Sequence, residues 1–165
     1  MKSGFSFLFP ASVWTLLGSA FLVSCYPKCK NVDCNTGICV EGRCVCDKGW
    51  QGQFCEIRQT SKFNGNYDVL ESCNTGTFSY VITISESDSV IPELELSNFY
   101  NFSSQGITAK VFAEVDFDGI TFDISSQSVG GLAVSGSGSI NDTTGTITLN
   151  YQVANDICNS VLTPR

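Results

Sequence analysis

The chain has 165 residues, nine cysteines and no histidine, and its formal net charge at pH 7 is −7. The absence of histidine excludes Ser-His-Asp and Cys-His catalysis and any zinc site that needs imidazole. From residue 63 onward, Lys110 and Arg165 stand against twelve acidic residues, so the cations that would contact nucleic-acid phosphates are missing. Nine cysteines in so short a chain indicate an oxidising compartment.

Residues 1–24 begin with the cation Lys2 and continue as a mostly apolar stretch, which is typical of a secretory signal. An uncleaved membrane helix is the alternative, since about 19 mostly apolar residues could just span a bilayer. The following tetrapeptide, Leu22-Val-Ser-Cys25, resembles the lipobox of bacterial lipoproteins. The resemblance implies that residues 1–24 are a lipoprotein signal peptide, and that Cys25 is lipidated at the start of a tether of residues 25–28.

The number of cysteines supports this interpretation, because an odd cysteine in an exported protein needs an explanation. If Cys25 carries lipid, eight cysteines remain and all of them can pair. Six of the eight are concentrated in one segment and would by themselves allow fifteen connectivities. They are Cys29, Cys34, Cys39, Cys44, Cys46 and Cys55.

The second half of this segment carries a family resemblance. It reads Cys44-Val-Cys46-Asp-Lys-Gly49-Trp50 and then Gly52-Gln-Phe54-Cys55-Glu56, which closely resembles an EGF-like module. The resemblance implies an EGF-like domain over residues 29–56 with the bridges Cys29–Cys39, Cys34–Cys44 and Cys46–Cys55. Such a module either displays a contact surface or acts as a compact spacer. Calcium is not expected, because Tyr26-Pro27-Lys28 replaces the acidic residues that the family places before the first cysteine.

The rest of the chain has the pattern of a β domain. Residues 57–62 are short and polar, which predicts a linker. From residue 63 onward apolar residues alternate with polar ones, which places one row of each strand on a core. About eight short strands, roughly 10–13 residues apart, are typical of sandwiches and barrels. The alternating sets are Tyr67 and Val69; Tyr80, Ile82 and Ile84; Leu94 and Leu96; Ile107, Ala109 and Val111; Ile120, Phe122 and Ile124; and Ile147, Leu149, Tyr151 and Val153.

The last two cysteines favour a barrel. Cys73 is near the end of the first strand, and Cys158 is just before the last apolar run. In an antiparallel up-and-down barrel of eight strands, the first and last strands are neighbours, so a Cys73–Cys158 bridge would join them. A sandwich could also bring the two cysteines together.

Residues 63–165 also resemble the calycin-like, lipocalin-like domains of lipoproteins from Bacteroidetes bacteria. The matching pieces are Phe63-Asn-Gly65-Asn-Tyr67, Tyr80-Val-Ile-Thr-Ile84-Ser, Leu96-Ser-Asn98-Phe99, Gly136-Ser-Gly138 and Ile147-Thr-Leu-Asn-Tyr151. They are scaffold motifs and not catalytic ones. The resemblance therefore implies a small calycin-like β-barrel and leaves its ligand open.

Three carboxylates are candidates for chemistry. Glu114, Asp116 and Asp118 are two residues apart, so they share one strand face and could hold calcium or act as acid and base. The alternative is a solvated strand edge, on which charges discourage edge pairing. A run of aromatic residues could line a ligand cavity or simply fill the core. That run comprises Phe99, Tyr100, Phe102, Phe112, Phe117 and Phe122.

The sequence therefore predicts an all-β, non-enzymatic protein that is anchored by lipid on Cys25 to the outer membrane of a cell envelope. Its EGF-like module is a spacer or contact surface, and its barrel binds a ligand that the sequence does not name. We expect no cofactor and no resident metal, and a protein or glycan as partner. The alternatives are a calycin-type carrier of a small apolar ligand and a carboxylate-based hydrolase.

Overall fold

The computed structural model describes residues 28–165, so the predicted signal peptide and Cys25 lie outside the described residues. Two small antiparallel sheets come first. Strands β1 (Gly37–Val40) and β2 (Arg43–Cys46) form one sheet, and β3 (Trp50–Gln51) and β4 (Ile57–Arg58) form the other. None of the helices in the described part of the chain has the length and apolar character needed to cross a bilayer.

Disulfides hold the first segment together, since few of its side chains are buried. The bridges are Cys29–Cys39, Cys34–Cys44 and Cys46–Cys55, the same pairs that the EGF resemblance implies. Each bridge closes a loop of nine or ten residues. Cross-links of this size stabilise a segment mainly by restricting its unfolded chain, by roughly 2–4 kcal/mol each.

Eight further strands form a closed antiparallel barrel, in which each strand pairs with the next and the last pairs with the first. The predicted eight-strand, up-and-down architecture is therefore confirmed. The strands are β5 (Gly65–Cys73), β6 (Gly76–Glu86), β7 (Glu93–Ser97), β8 (Val111–Val115), β9 (Thr121–Val129), β10 (Leu132–Ile140), β11 (Ile147–Val153) and β12 (Asp156–Pro164).

The barrel closes between β5 and β12. Cys73 pairs directly with Cys158 in the register of these two strands, and a disulfide joins them. The loop that this bridge closes spans 85 residues, far longer than any loop in the first segment. The barrel is thus linked covalently at the one place where strands distant in sequence must meet.

Side chains fill the barrel interior. The alternating apolar residues point inward, and two glycines on β10 make space for large neighbours. A Cβ atom at Gly138 would lie 2.3 Å from the Phe122 ring, and one at Gly136 would lie 2.5 Å from the Cβ of Tyr151. Glycine at these two positions therefore lets aromatic rings occupy the narrow core.

A short 3₁₀ helix covers each end of the barrel. The first 3₁₀ helix (Gln59–Phe63) buries Phe63, whose ring meets the Phe122 ring edge-on with 5.6 Å between centroids. The second 3₁₀ helix (Phe99–Gln105), between β7 and β8, is interrupted by a kink at Tyr100 and Asn101 and buries Phe99 and Phe102. We call the second end the Cys73 end, because it also carries the β5–β6, β9–β10 and β11–β12 turns. We call the first end the Phe63 end.

The disulfide-rich segment packs against the Phe63 end. The Arg58 guanidinium lies over the Trp50 ring and 3.7 Å from the Glu86 carboxyl. Residues 57–62, which the polar composition predicts as a linker, instead form β4 and part of the first 3₁₀ helix. Gln59 and Thr60 are buried there, and Gln59 donates a hydrogen bond to the Phe117 carbonyl across 3.1 Å. The Oε1 atom of Gln59 is buried without a hydrogen-bond partner in the described part of the chain. Composition alone does not reveal that such polar side chains are buried.

Two strand predictions are shifted in the structure. Strand β8 begins at Val111, so Ile107 and Ala109 precede it, and Ile107 packs beside Gly130 at the barrel end. Ile120 is an exposed turn residue, and the inward row of β9 begins at Phe122. In both cases the chain is still crossing an end of the barrel, where an apolar residue can continue the alternation without being in a strand.

Candidate functional site

One carboxyl group is buried inside the barrel near the Cys73 end. Glu71 follows Tyr67 and Val69 on the inward face of β5, and its exposed fraction is 1%. Three hydroxyl groups donate to its Oε2 atom: Tyr80 at 2.7 Å, Ser160 at 3.2 Å, and Tyr151. They come from β6, β12 and β11, so three other strands hold the orientation of this one side chain.

The hydroxyl groups offset part of the cost of burying the carboxyl. Within residues 28–165, no lysine or arginine forms an ion pair with Glu71. The surroundings keep the tyrosines neutral, because burial and then the nearby Glu71 carboxyl raise the pKa of Tyr80. Burial is also the largest cause that raises the pKa of Tyr151.

The second 3₁₀ helix covers this group with strained backbone. Tyr100 (φ 50°, ψ 30°) and Asn101 (φ 50°, ψ 35°) both have left-handed conformations. Such conformations cost non-glycine residues of order 1–3 kcal/mol each and persist only where surrounding contacts impose them. Here the Tyr100 hydroxyl donates to Asp156 Oδ2 across 2.8 Å, and the Gln105 side chain donates to the Tyr100 carbonyl.

Asp156 is a second buried acid at this end of the barrel. The Thr75 hydroxyl also donates to its Oδ2 atom, across 2.6 Å, and this hydrogen bond is the main cause that lowers the pKa of Asp156. Its Oδ1 atom is buried and has no hydrogen-bond partner of good geometry in the described part of the chain. Burial and the hydrogen bond to Asp156 raise the pKa of Tyr100.

Two cavities open on either side of Tyr100. The smaller, of about 120 Å³, reaches Glu71 and is lined also by Phe78 and Gln105. The larger, of about 380 Å³, is an open groove beside Asp156. The Cys73 end therefore offers two acid-lined recesses that share an aromatic wall.

The carboxylates predicted from sequence lie at the Phe63 end, where Asp116 and Asp118 share one hydrogen-bond partner and Glu114 has another. Glu114 forms an ion pair with Lys48 of the disulfide-rich segment. Asp116 and Asp118 instead share the hydroxyl of Thr121 as a donor. The backbone N–H groups of Thr121 and then Ile120 lower the pKa of Asp118. These contacts engage an oxygen atom of each of the three carboxylates.

One further cluster combines a carboxyl with sulfur. An oxygen of Glu71 and the sulfur atoms of Cys73 and Cys158 lie within 4.8 Å of one another. The two sulfurs are joined in a disulfide, so they are not the thiolates that a metal requires. This proximity therefore does not make a metal centre.

Sequence reasoning missed Glu71 and Asp156, although the signal for Glu71 was present. The period-two alternation that places Tyr67 and Val69 on the core also places Glu71 there. A carboxyl on an inward row is unusual enough to mark a site. Asp156 had no such signal, because it lies at a hairpin and its burial depends on the second 3₁₀ helix.

Comparison with known proteins identifies part of the chain. No curated protein and no solved structure matches the chain significantly. Residues 29–55 match the family model of the EGF-like domain. The structure agrees with the match, since this segment forms two small sheets held by three disulfides. The chain therefore consists, in its described part, of an EGF-like domain followed by a closed eight-stranded β-barrel.

Proposed function

We propose that this chain is a non-enzymatic, lipid-anchored protein of a bacterial cell envelope, held at the outer membrane by acyl chains on Cys25. The EGF-like domain acts as a spacer, and the calycin-like barrel binds a ligand at its Cys73 end. The ligand that binds at this end is a small molecule or a part of a protein or glycan.

The observation that carries the proposal is that the EGF-like domain covers one end of the barrel, whereas the buried Glu71 carboxyl borders a cavity at the other. The EGF-like domain covers the Phe63 end, where Lys48 pairs with Glu114 and a Cβ on Gly49 would lie 2.5 Å from the Ile91 side chain. The two cavities beside Tyr100 are at the other end. A tether that precedes the EGF-like domain would thus leave the cavities directed away from the attachment point.

The alternatives have weaker support. A carrier of a bulky apolar ligand needs an empty interior, whereas inward side chains from all eight strands pack in this barrel and a 3₁₀ helix covers each end. A hydrolase that uses Glu114, Asp116 and Asp118 needs the three carboxylates to converge on one cleft, whereas Asp116 lines one open groove, Glu114 lines another, and Asp118 lines neither of these two.

Replacing Cys25 tests the anchor. The full chain and its Cys25→Ser variant would be produced in a bacterial host that processes lipoproteins, with labelled palmitate supplied. We expect the parent chain to incorporate label and to sediment with membranes, since several acyl chains on one cysteine hold a protein firmly. The Ser24→Ala chain is the control and should behave as the parent does. Label incorporation and membrane retention in Cys25→Ser would overturn the anchor.

A further inference from the structure

We propose that the smaller cavity at the Cys73 end is a binding site for a primary ammonium group, which Glu71 receives. The inference deepens the proposed function and rests on its claim that ligands bind at this end. It follows from the Oε1 atom of Glu71, which is free to accept hydrogen bonds, from the aromatic walls and the size of the cavity, and from the net charge of the domain.

The carboxyl is held in place and still has an oxygen to offer. All three hydroxyl donors share Oε2, which leaves Oε1 for a donor that enters from the cavity lined by Glu71. In the described part of the chain the carboxyl has no cationic partner. A ligand ammonium would supply both the missing charge and the missing hydrogen bonds, which are stronger when donor and acceptor are ionised.

The aromatic rings that line the cavity also favour a cation. Phe78, a residue that is 41% exposed, and Tyr100 line the cavity together with Glu71. The faces of aromatic rings carry partial negative charge and attract ammonium groups. The left-handed backbone at Tyr100, held by the hydrogen bond from its hydroxyl to Asp156, keeps one of these rings at the cavity.

The size of the cavity and the charge of the domain restrict the class of ligand that fits. A volume of about 120 Å³ is well below the roughly 300–1,000 Å³ of pockets that enclose a drug-sized ligand, so the cavity holds a slim head group while the rest of the ligand stays outside. From residue 63 onward the chain carries twelve acidic and two basic residues. The field of such a domain concentrates cations and repels carboxylates. Alkylamines, or lysine-like side chains of a larger partner, fit these conditions.

The test compares matched probes on the detergent-solubilised full-length chain, with backbone amide chemical shifts as the readout. The probes are n-butylamine, its neutral counterpart 1-butanol, and butyrate. We expect n-butylamine to shift the amides of residues 71–78 and 100–105 and to bind about tenfold or more tightly than 1-butanol. Equal affinity for the amine and the alcohol, or shifts confined to the Phe63 end, would overturn the inference.

Variants then assign the effect to one carboxyl. Glu71→Gln keeps the shape of the side chain and should remove the preference for the amine. Glu95→Gln makes the same change of net charge at a residue that pairs with Lys110 outside the cavity, and it should leave the amine affinity unchanged. An equal loss of n-butylamine affinity in both variants would mean that the net negative charge of the domain, and not Glu71, attracts the amine. That result would reject the site. If Glu71→Gln does not fold, Phe78→Ala is the second variant. It removes only a half-exposed part of the cavity wall and should lower the affinity for n-butylamine severalfold.

The outcomes separate this inference from the proposed function. Binding of 1-butanol or butyrate at the Cys73 end, without n-butylamine, rejects the ammonium site and supports a binding role for the barrel. Absence of shifts at this end with every probe counts against both the ammonium site and the binding role. Membrane release of Cys25→Ser is measured independently and bears on the anchor alone.

Discussion

Removing the Cys73–Cys158 bridge should lower the free energy of unfolding of the barrel by several kcal/mol. The bridge closes a loop of 85 residues, for which the chain-entropy relation gives about 4.6 kcal/mol at 25 °C. Alanine is the suitable replacement at both positions, because Cys158 is fully buried and a serine there would bury a hydroxyl group.

The effect should come from the unfolded chain and not from the native barrel. Seven residue pairs connect β5 and β12 in the native register, so the barrel stays closed without the covalent link. For a domain of about 100 residues, a loss of this size lowers Tm by roughly 20 to 35 °C. The uncross-linked unfolded chain also exposes more surface, which should raise the dependence of stability on urea concentration.

Urea titrations followed by circular dichroism would compare the parent chain with the Cys73→Ala/Cys158→Ala double variant. The matched control is Cys46→Ala/Cys55→Ala, which removes a bridge with a sequence separation of nine and should destabilise the EGF-like domain by about 2.6 kcal/mol. That control should leave the barrel transition nearly unchanged. A loss below about 1 kcal/mol in the barrel variant, with its native spectrum preserved, would refute the loop-entropy argument.

Two further predictions concern the barrel interior. Gly138→Ala should destabilise the barrel by about 1–3 kcal/mol, because the added Cβ would lie 2.3 Å from the Phe122 ring. Thermal unfolding measures this loss, and an unchanged Tm would contradict the tight packing. The raised pKa values of Tyr80 and Tyr151 predict a loss of stability in alkali. The unfolded chain loses these protons near pH 10 while the folded chain retains them, so stability is intact below pH 10 and falls above it by about 1.4 kcal/mol per pH unit for each tyrosine. Urea unfolding from pH 8 to 11.5, with tyrosinate absorbance recorded in parallel, checks this; constant stability across that range would exclude it.

The EGF-like domain was predictable because its information is local. Cysteine spacing and the glycines that allow turns between half-cystines occupy one short segment, and the disulfides that hold it connect residues nine or ten positions apart. The β class of the second domain was equally predictable, since alternation follows from strand geometry. Even the Cys73–Cys158 bridge could be inferred, once a closed meander brings its first and last strands together.

The site was not predictable in the same way, because its parts come from many strands. Glu114, Asp116 and Asp118 are neighbours in sequence, yet Lys48 pairs with Glu114 whereas Thr121 contacts only the two aspartates. The donors to Glu71 lie 9 to 89 residues away from it, and only the barrel register brings them together. Grouping in sequence is therefore a poor guide to grouping in a barrel.

Spacing along the chain was enough to predict the disulfide-rich module, the β class of the second domain and its acidic character. Barrel formation was needed to show which carboxyl is buried, which end the EGF-like domain covers, and where the cavities beside Tyr100 open. The physical reason is closure of the barrel. It pairs strands that are far apart in sequence, and it leaves two ends whose character depends on the segments that pack across them.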